Sequence, residues 1–558
     1  MIRGAAVKVV LLVCACLVLG GVSALAQSRD TLVVGMSQFP PDMHPYIATT
    51  SIKDTVLLAV NRPMTVYAAD GTVLCELCTE VPSLTNGGAR VVKRPDGGDG
   101  MEVTYTLKPD LFWADGVPVT ADDVVFSFEV SRGFNPPKTI EKAEALDGTH
   151  VRFTLNTTIY DYPRIANSFA TTSILSKHVE QKVFEASSGA LDYGQKSTFN
   201  RRPEEPGLWL GPYRIAEFRL NQQVVLVPNP YWKGRKPFFQ KIVLRLIDNT
   251  AALQANLMSG DVDTVAGGNL GLTLDQILTL AKTEGGRFDF DFISSVNSYE
   301  HLTVNLDNRL LADRRVRQAM MMAIDRKTIV GRLFDNRFEV AQSFKHPSQF
   351  GWDAGIRTWP FDPKAARALL AEAGFRPGAD GILVSPAGER FSIDLVTTAG
   401  NRTRELVELV LQGAMKAVGI DLVIRNEPAR VMFGETLRKR SYSGLVLFQS
   451  DMVPDYVPLF YFASAYVPTQ DNNWSGTNYP GLRSDAMDQA IDAARAELDP
   501  VLRRELWKPI LELFATELPE LPLYFPAGGV ITPKWMTGLV NPARFGIFTA
   551  WVEEWRAR

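Results

Sequence analysis

Cysteine and histidine are scarce in this chain, and that scarcity narrows its chemistry before any fold is considered. Of 558 residues, only 4 are Cys and 5 are His. The histidines His44, His150, His178, His301 and His346 are scattered, and none forms an H-E-x-x-H zinc pair. Neither a G-x-S-x-G elbow nor a G-x-x-x-x-G-K-[ST] phosphate loop occurs. Because a triad can assemble from distant residues, a secreted peptide hydrolase stays open as an alternative to a protein without enzymatic activity. An excess of positive charge is also missing. The formal net charge is -3, whereas a nucleic-acid partner calls for a basic surface. Beyond the first 26 residues no charge-free apolar run reaches membrane-spanning length.

The amino terminus carries an export pattern. Arg3 and Lys8 precede the apolar stretch Val9 to Leu25, and Ala24-Leu25-Ala26 forms a small-x-small cleavage site before Gln27. Residues 1–26 therefore read as a secretory signal peptide. There is no twin-arginine pair, and Val13-Cys14-Ala15-Cys16 is a poor lipid-attachment box, so export as a soluble protein is expected. Cleavage would remove two bases and no acids, moving the net charge from -3 to -5. Only Cys75 and Cys78 would survive it. A C-x-x-C pair can be a redox motif, half a zinc site or a tight disulfide. Zinc needs further ligands and no second Cys pair exists. Pro82 and Asn86-Gly87 follow closely and suggest a loop, not the helix start of a redox motif. In an oxidising compartment a small structural disulfide is the plainer expectation.

Residues 31–36, Thr-Leu-Val-Val-Gly-Met, predict a first strand. Short strand signals at 61–110, broken by Asp70-Gly71, Asn86-Gly87 and a Gly-Asp run, predict antiparallel hairpins. Residues 135–205 hold few periodic runs. Strand character returns at Pro212 to Val227 and Lys241 to Ile247, and a helix is predicted from Thr250 to Ser259, stopped by Gly260. From residue 300 the chain alternates α and β. Asp313, Asp325 and Asp362-Pro363 are helix caps, and Arg314, Arg315 and Arg317 are expected on a solvated face. Phe391 to Thr397, Arg402 to Val418, Ile420 to Arg425, Ala429 to Lys439 and Gly444 to Gln449 read as strand, helix, strand, helix, strand. That order implies a mostly parallel sheet, and such sheets bind ligands beyond the carboxyl ends of their strands. Asp451 follows the third strand, which places a carboxylate where a ligand is expected. Aromatics in predicted loops (Phe39, Tyr299, Tyr456, Tyr466, Trp474, Tyr479) are pocket material, although any one of them is more often a packing residue.

The stretch from Tyr105 to Phe128 reads as a strand, an Asp115-Gly116 turn and a helix capped by Thr120 with Asp123 three positions on. Its Trp113-Ala-Asp-Gly-Val-Pro-Val-Thr-Ala-Asp-Asp-Val-Val-Phe-Ser127 run resembles the signature of the peptide and nickel class (family 5) of extracytoplasmic solute-binding proteins, which feed ABC importers. The resemblance continues through Asn229-Pro230-Tyr231-Trp232-Lys233-Gly234-Arg235-Lys236-Pro237, Asp313-Arg314-Arg315-Val316-Arg317-Gln318-Ala319, Ala323-Ile324-Asp325-Arg326, and Asp362-Pro363 to Gly374. It spans roughly residues 30 to 530.

The resemblance implies an α/β, periplasmic binding protein-like fold: two α/β lobes with a cleft and hinge, plus an additional third domain. Residues 31–64, 205–298 and 522–558 would form lobe I, 65–204 the additional domain and 299–521 lobe II, with chain crossings near 299–305 and 519–524. It implies a monomeric periplasmic receptor, without cofactor, that captures di- or oligopeptides and delivers them to ABC permease transmembrane subunits with their ATPases. An opine, an oligosaccharide or a nickel chelate is the alternative cargo. In relatives an aspartate after a late strand, in a W-x-x-D-Y segment, pairs with the peptide's amino terminus. Phe448-Gln449-Ser450-Asp451 occupies that place, with Phe448 for the Trp, so Asp451 is the first candidate and Asp455 the second. Phe39, Tyr299, Glu300, Phe448, Gln449, Trp474 and Asn478 complete the expected ligand-binding set, and His301 is expected to be a hydrogen-bonded hinge residue.

Overall fold

Three sheets organise the protein, each over its own apolar core. The computed structural model describes residues 29–558 except 48–49, 68–71, 135–138, 169–172, 295, 453–454, 473 and 540–547. The expected signal peptide, with Cys14 and Cys16, lies outside the described residues.

The first sheet has five strands in the order Thr264–Val265, Thr31–Met36, Lys241–Leu246, Gln223–Pro228, Tyr213–Arg219. Thr31–Met36 pairs in parallel with Lys241–Leu246 and Thr264–Val265, and the other pairs are antiparallel. Leu32, Val34 and Met36 alternate into a core with Val56, Trp209 and Trp555. The helix Thr250–Ser259 ends, as predicted, on Gly260, whose φ of 88° is a left-handed conformation that glycine adopts without a Cβ penalty.

The additional domain is an antiparallel sheet, Ala89–Lys93, Asp99–Thr106, His150–Leu155, Ile140–Ala145. The last two strands fall in the region that reads as aperiodic. Charged residues fill the outward positions of Ile140–Ala145, which hides its period. The helix Ala121–Ser131 starts where the Thr120 N–H donates to the Asp123 carboxylate at 2.8 Å. It buries Val124 and Phe128 in this domain's core and Phe126 and Val130 in the first lobe's core. The sulfurs of Cys75 and Cys78 are bonded, with Cα atoms 5.1 Å apart.

The second lobe carries a six-stranded sheet, Glu339–Val340, Glu520–Phe525, Ser298–Val304, Leu445–Asp451, Ser392–Thr398, Asp421–Glu427. Ser392–Thr398 runs parallel to both Asp421–Glu427 and Leu445–Asp451. The helix Arg402–Ala417 covers it through Val407, Leu411 and Met415, spaced four apart on one face. The helix expected over 429–439 is a short turn, Ala429–Val431, followed by a π-wound segment, Met432–Leu437. Arg317 is not on a solvated face. Its side chain is 3% exposed, and the guanidinium donates to the carbonyls of Glu517, Leu311 and Ala312 at 2.7–2.8 Å.

Two strand pairs carry the chain between lobes. Phe288–Ser294 pairs with Ala527–Pro533 on the first lobe's side, and Ser298–Val304 pairs with Glu520–Phe525 in the second sheet. The crossings thus fall between 294 and 298 and at Pro526. The boundary expected at 521/522 lies inside a strand of the second lobe. The boundary at 204/205 shifts as well, because Leu175, Tyr193 and Phe199 pack into the first lobe's core.

Candidate ligand-binding site

The parallel strands of the second sheet end on one side, Thr398 level with Glu427 and the third strand running three residues further to Asp451. Val446 and Leu447 are buried on opposite faces of the last strand, so its period-2 pattern is apolar throughout until Gln449 and Asp451 emerge. Asp451 is exposed and is paired in register with Ser298, at the first hinge crossing. One oxygen, Oδ1, accepts from the Ser298 hydroxyl at 2.5 Å and from the Gln449 amide at 3.0 Å. The Tyr461 hydroxyl donates to the Asp451 carbonyl at 2.9 Å, and the Met452 N–H to the Asn297 carbonyl at 2.5 Å. The carboxylate is thereby held by one oxygen while Oδ2 carries no hydrogen bond or ion pair among the described residues. An aimed, half-satisfied carboxylate at a strand end is suited to an ammonium or another donor.

Aromatic rings cluster on the neighbouring segments: Tyr461, whose hydroxyl reaches the Asp451 carbonyl, lies 6.3 Å from Tyr456. Tyr456 and Phe460 stack at 6.1 Å, Phe460 meets Tyr466 at 4.7 Å, and Phe448 lies 6.0 Å from Phe433 and 6.3 Å from Tyr479. Phe433 and Phe460 are 43% and 44% exposed, unusual for such rings. Nothing in the sequence singles out Phe433, because a helix over 429–439 would make it an ordinary face residue. Trp474 is half-buried, with a left-handed φ of 58° and its N–H donating to the Thr469 carbonyl at 2.7 Å. On the first lobe, Phe39 follows the strand Thr31–Met36, half-buried and 5.3 Å from Phe218.

Other expected ligand contacts are packed inside the lobe. Tyr299 is fully buried, its hydroxyl donating to Glu520. Glu300 is 5% exposed and is bound by the Arg404 Nε at 2.6 Å. Phe448 is 5% exposed, within a small core that includes Val396, Met432 and Tyr442. Asn478 is buried and satisfied. Its amide donates to the carbonyls of Ala463 and Leu482, and its oxygen accepts from the N–H groups of Gly481 and Leu482. These four build the site's floor and loops and present no free polar atom to a guest. His301, also fully buried, lies between Tyr299 and Phe448 and hydrogen-bonds Thr303 at 3.1 Å.

Asp455, the second candidate for an ammonium partner, is already engaged. Its carboxylate lies 3.1 Å from Arg503. Burial pushes it up, against the opposing charges of Arg503 and Lys345. Burial likewise draws the Lys345 amine down to about 7, with the Asp455 charge opposing.

A cavity of about 290 Å³ lies elsewhere, lined by Phe112, Tyr231 and Trp232 among others, all from the first lobe and the additional domain. It includes none of the strand ends described above.

The family description "Bacterial extracellular solute-binding proteins, family 5 Middle" matches residues 96–474. The chain belongs to this family. Its members are extracytoplasmic solute-binding receptors, and the two-lobed fold with cleft and hinge is theirs. The oligopeptide-binding protein AppA of Bacillus subtilis is 26% identical over 483 residues, covering 84% of this chain and 82% of that protein. The oligopeptide binding protein of Thermus thermophilus, solved with a pentapeptide, superposes with a TM-score of 0.79 at 28% identity, over 95% of this chain and 96% of that one. The same fold recurs in NikZ of Campylobacter jejuni, solved with Ni(L-His), at a TM-score of 0.75 and 21% identity over 95% and 99% of the chains. No helix among the described residues of this receptor is long and apolar enough to cross a membrane.

Proposed function

We propose that this receptor captures peptides between its lobes in the periplasm, after loss of residues 1–26, and hands them to an ABC permease without chemical turnover. The observation that carries the reading is the geometry of Asp451: an exposed carboxylate at the end of a parallel strand, fixed through Oδ1 and open at Oδ2. A peptide ammonium would complete it, and Phe433 and Phe460 supply apolar surface for side chains of varied shape. Peptide cargo is further supported by the names of the two oligopeptide-binding relatives above, one of them holding a pentapeptide. Ligand favours the closed form only through contacts made to both lobes, and Phe39 is the first lobe's candidate for such a contact.

The test is recovery of bound molecules. Mature protein equilibrated with a peptide mixture and then washed should release peptides in mass spectrometry, unchanged in length. Asp451→Asn should weaken binding of peptides with free amino termini about 10- to 100-fold, as for a charge-assisted hydrogen bond. N-acetylated peptides should be affected far less. Shortened peptides in the eluate, or equal affinity of both variants for free-amine peptides, would overturn the reading.

A further inference from the structure

The additional domain reaches the second lobe through the turn Ile159-Tyr160-Asp161. The Tyr160 hydroxyl donates to the Asp455 carbonyl at 2.5 Å and accepts from the Val457 N–H at 2.9 Å. Its own N–H donates to the Arg495 carbonyl at 3.0 Å. The Arg503 guanidinium lies 4.5 Å from the centre of the Tyr160 ring and 3.1 Å from the Asp455 carboxylate. Asp161 is half-buried, and the charges of Arg164 of its own domain and of Arg495 and Arg503 of the second lobe oppose the desolvation that pushes its carboxyl up. Burial, with the charges of Asp161 and Asp455 added, keeps the Tyr160 phenol protonated, so its donor hydrogen is retained. Asp455 itself has a φ of 56°, a conformation that non-glycine residues seldom hold without support, and the two Tyr160 bonds flank it.

Asp455 lies four residues past Asp451, the last residue of its strand. We infer that Tyr160 is a positioning residue for lobe closure: by gripping the turn Asp455–Val457, four residues past the strand end at Asp451, the additional domain holds the second lobe against itself and favours the closed form without touching the ligand. The Tyr160 ring also packs on the second lobe's apolar core, but its hydrogen-bonding partners are polar and can be hydrated when the surfaces part, so those bonds are reversible. A contact made only when the additional domain and the second lobe meet biases the equilibrium toward that state, as a ligand would. The inference rests on the receptor function proposed above, but its first readout needs no ligand.

Leu191 and Val501 are 79% and 71% exposed, on the first-lobe and second-lobe sides, and Cys75 and Cys78 are bonded to one another. Spin labels at Leu191→Cys and Val501→Cys in the full mature chain report lobe separation by electron–electron resonance. Without peptide, Tyr160→Phe should shift the distance distribution to longer values. Pentaalanine affinity by calorimetry should fall about tenfold in Tyr160→Phe, the loss expected for two neutral hydrogen bonds. Unchanged distances in this variant overturn the inference. A lowered thermal midpoint without a change in distance makes Tyr160 merely structural and overturns it too. If the distances lengthen but pentaalanine fails to bind even the parent protein, the closure role of Tyr160 stands and the peptide cargo falls.

Discussion

Toward the first lobe, the additional domain is joined by shared apolar packing. One helix, Ala121–Ser131, feeds both cores, and the buried Arg62 of the first lobe lies 3.9 Å from Glu76 of the additional domain. Toward the second lobe, the same domain offers Tyr160, whose ring packs on that lobe's core, to main-chain groups and to the Arg503 guanidinium. Dispersion and apolar burial disappear once water enters, so the first contact has no partly open state of comparable energy. Hydrogen bonds can be exchanged for water with small net change, so the second contact can open and close. On the inference above, the two interfaces of one domain separate a lasting joint from a reversible one.

The largest test of that contrast is Phe126→Ala, which should cost about 3–5 kcal/mol of unfolding free energy by removing a ring from the shared packing. A shift in the denaturant midpoint no larger than that of a surface substitution would break the comparison. Acid should weaken the permanent side next. His44 is fully buried against Phe134, Tyr193 and Phe199, and desolvation, helped by the Lys53 charge, lowers it from 6.5 to about 3. Below pH 6.5 the unfolded chain takes up a proton that the folded protein refuses until about 3, so stability falls as pH drops through that window. At about 1.4 kcal/mol per pH unit, the loss between pH 6.5 and 5 reaches at most about 2 kcal/mol. His44→Asn, which can still accept from the Tyr46 N–H, should flatten the slope in pH-dependent melts. Reducing Cys75–Cys78 should cost at most about 2 kcal/mol, because the loop it closes is short. The smallest effect belongs to the reversible side. Tyr160→Phe should change unfolding free energy by less than about 1 kcal/mol, since water replaces its bonds in the open protein.

Local elements were legible where the signal is local. Asp313, Asp325 and Asp362 cap their helices with the predicted side-chain bonds, and the strand–helix–strand run from 391 to 450 forms a parallel unit. Asp451 could be placed because a strand end is visible in the chain. Burial of its neighbours was not. Tyr299 looks like a loop aromatic until Glu520 is brought to it from 221 residues away. Asn478 looks like a ligand donor until four main-chain partners surround it. Arg317 belongs to a charged run whose neighbours are exposed, and the carbonyl of Glu517 at the end of another helix, with those of Leu311 and Ala312 just before its own, draws it inward.

The amino-acid sequence by itself determined the family, the elements and the strand end that carries the carboxylate, because caps, turns and periodicity act over a few residues. Only the tertiary structure decided which groups face the cleft and which support it. The bond between Ser298 and Asp451 spans 153 residues, and that between Tyr160 and Asp455 spans 295. Pairings at that range arise from the packing of whole sheets and domains, which no local pattern specifies.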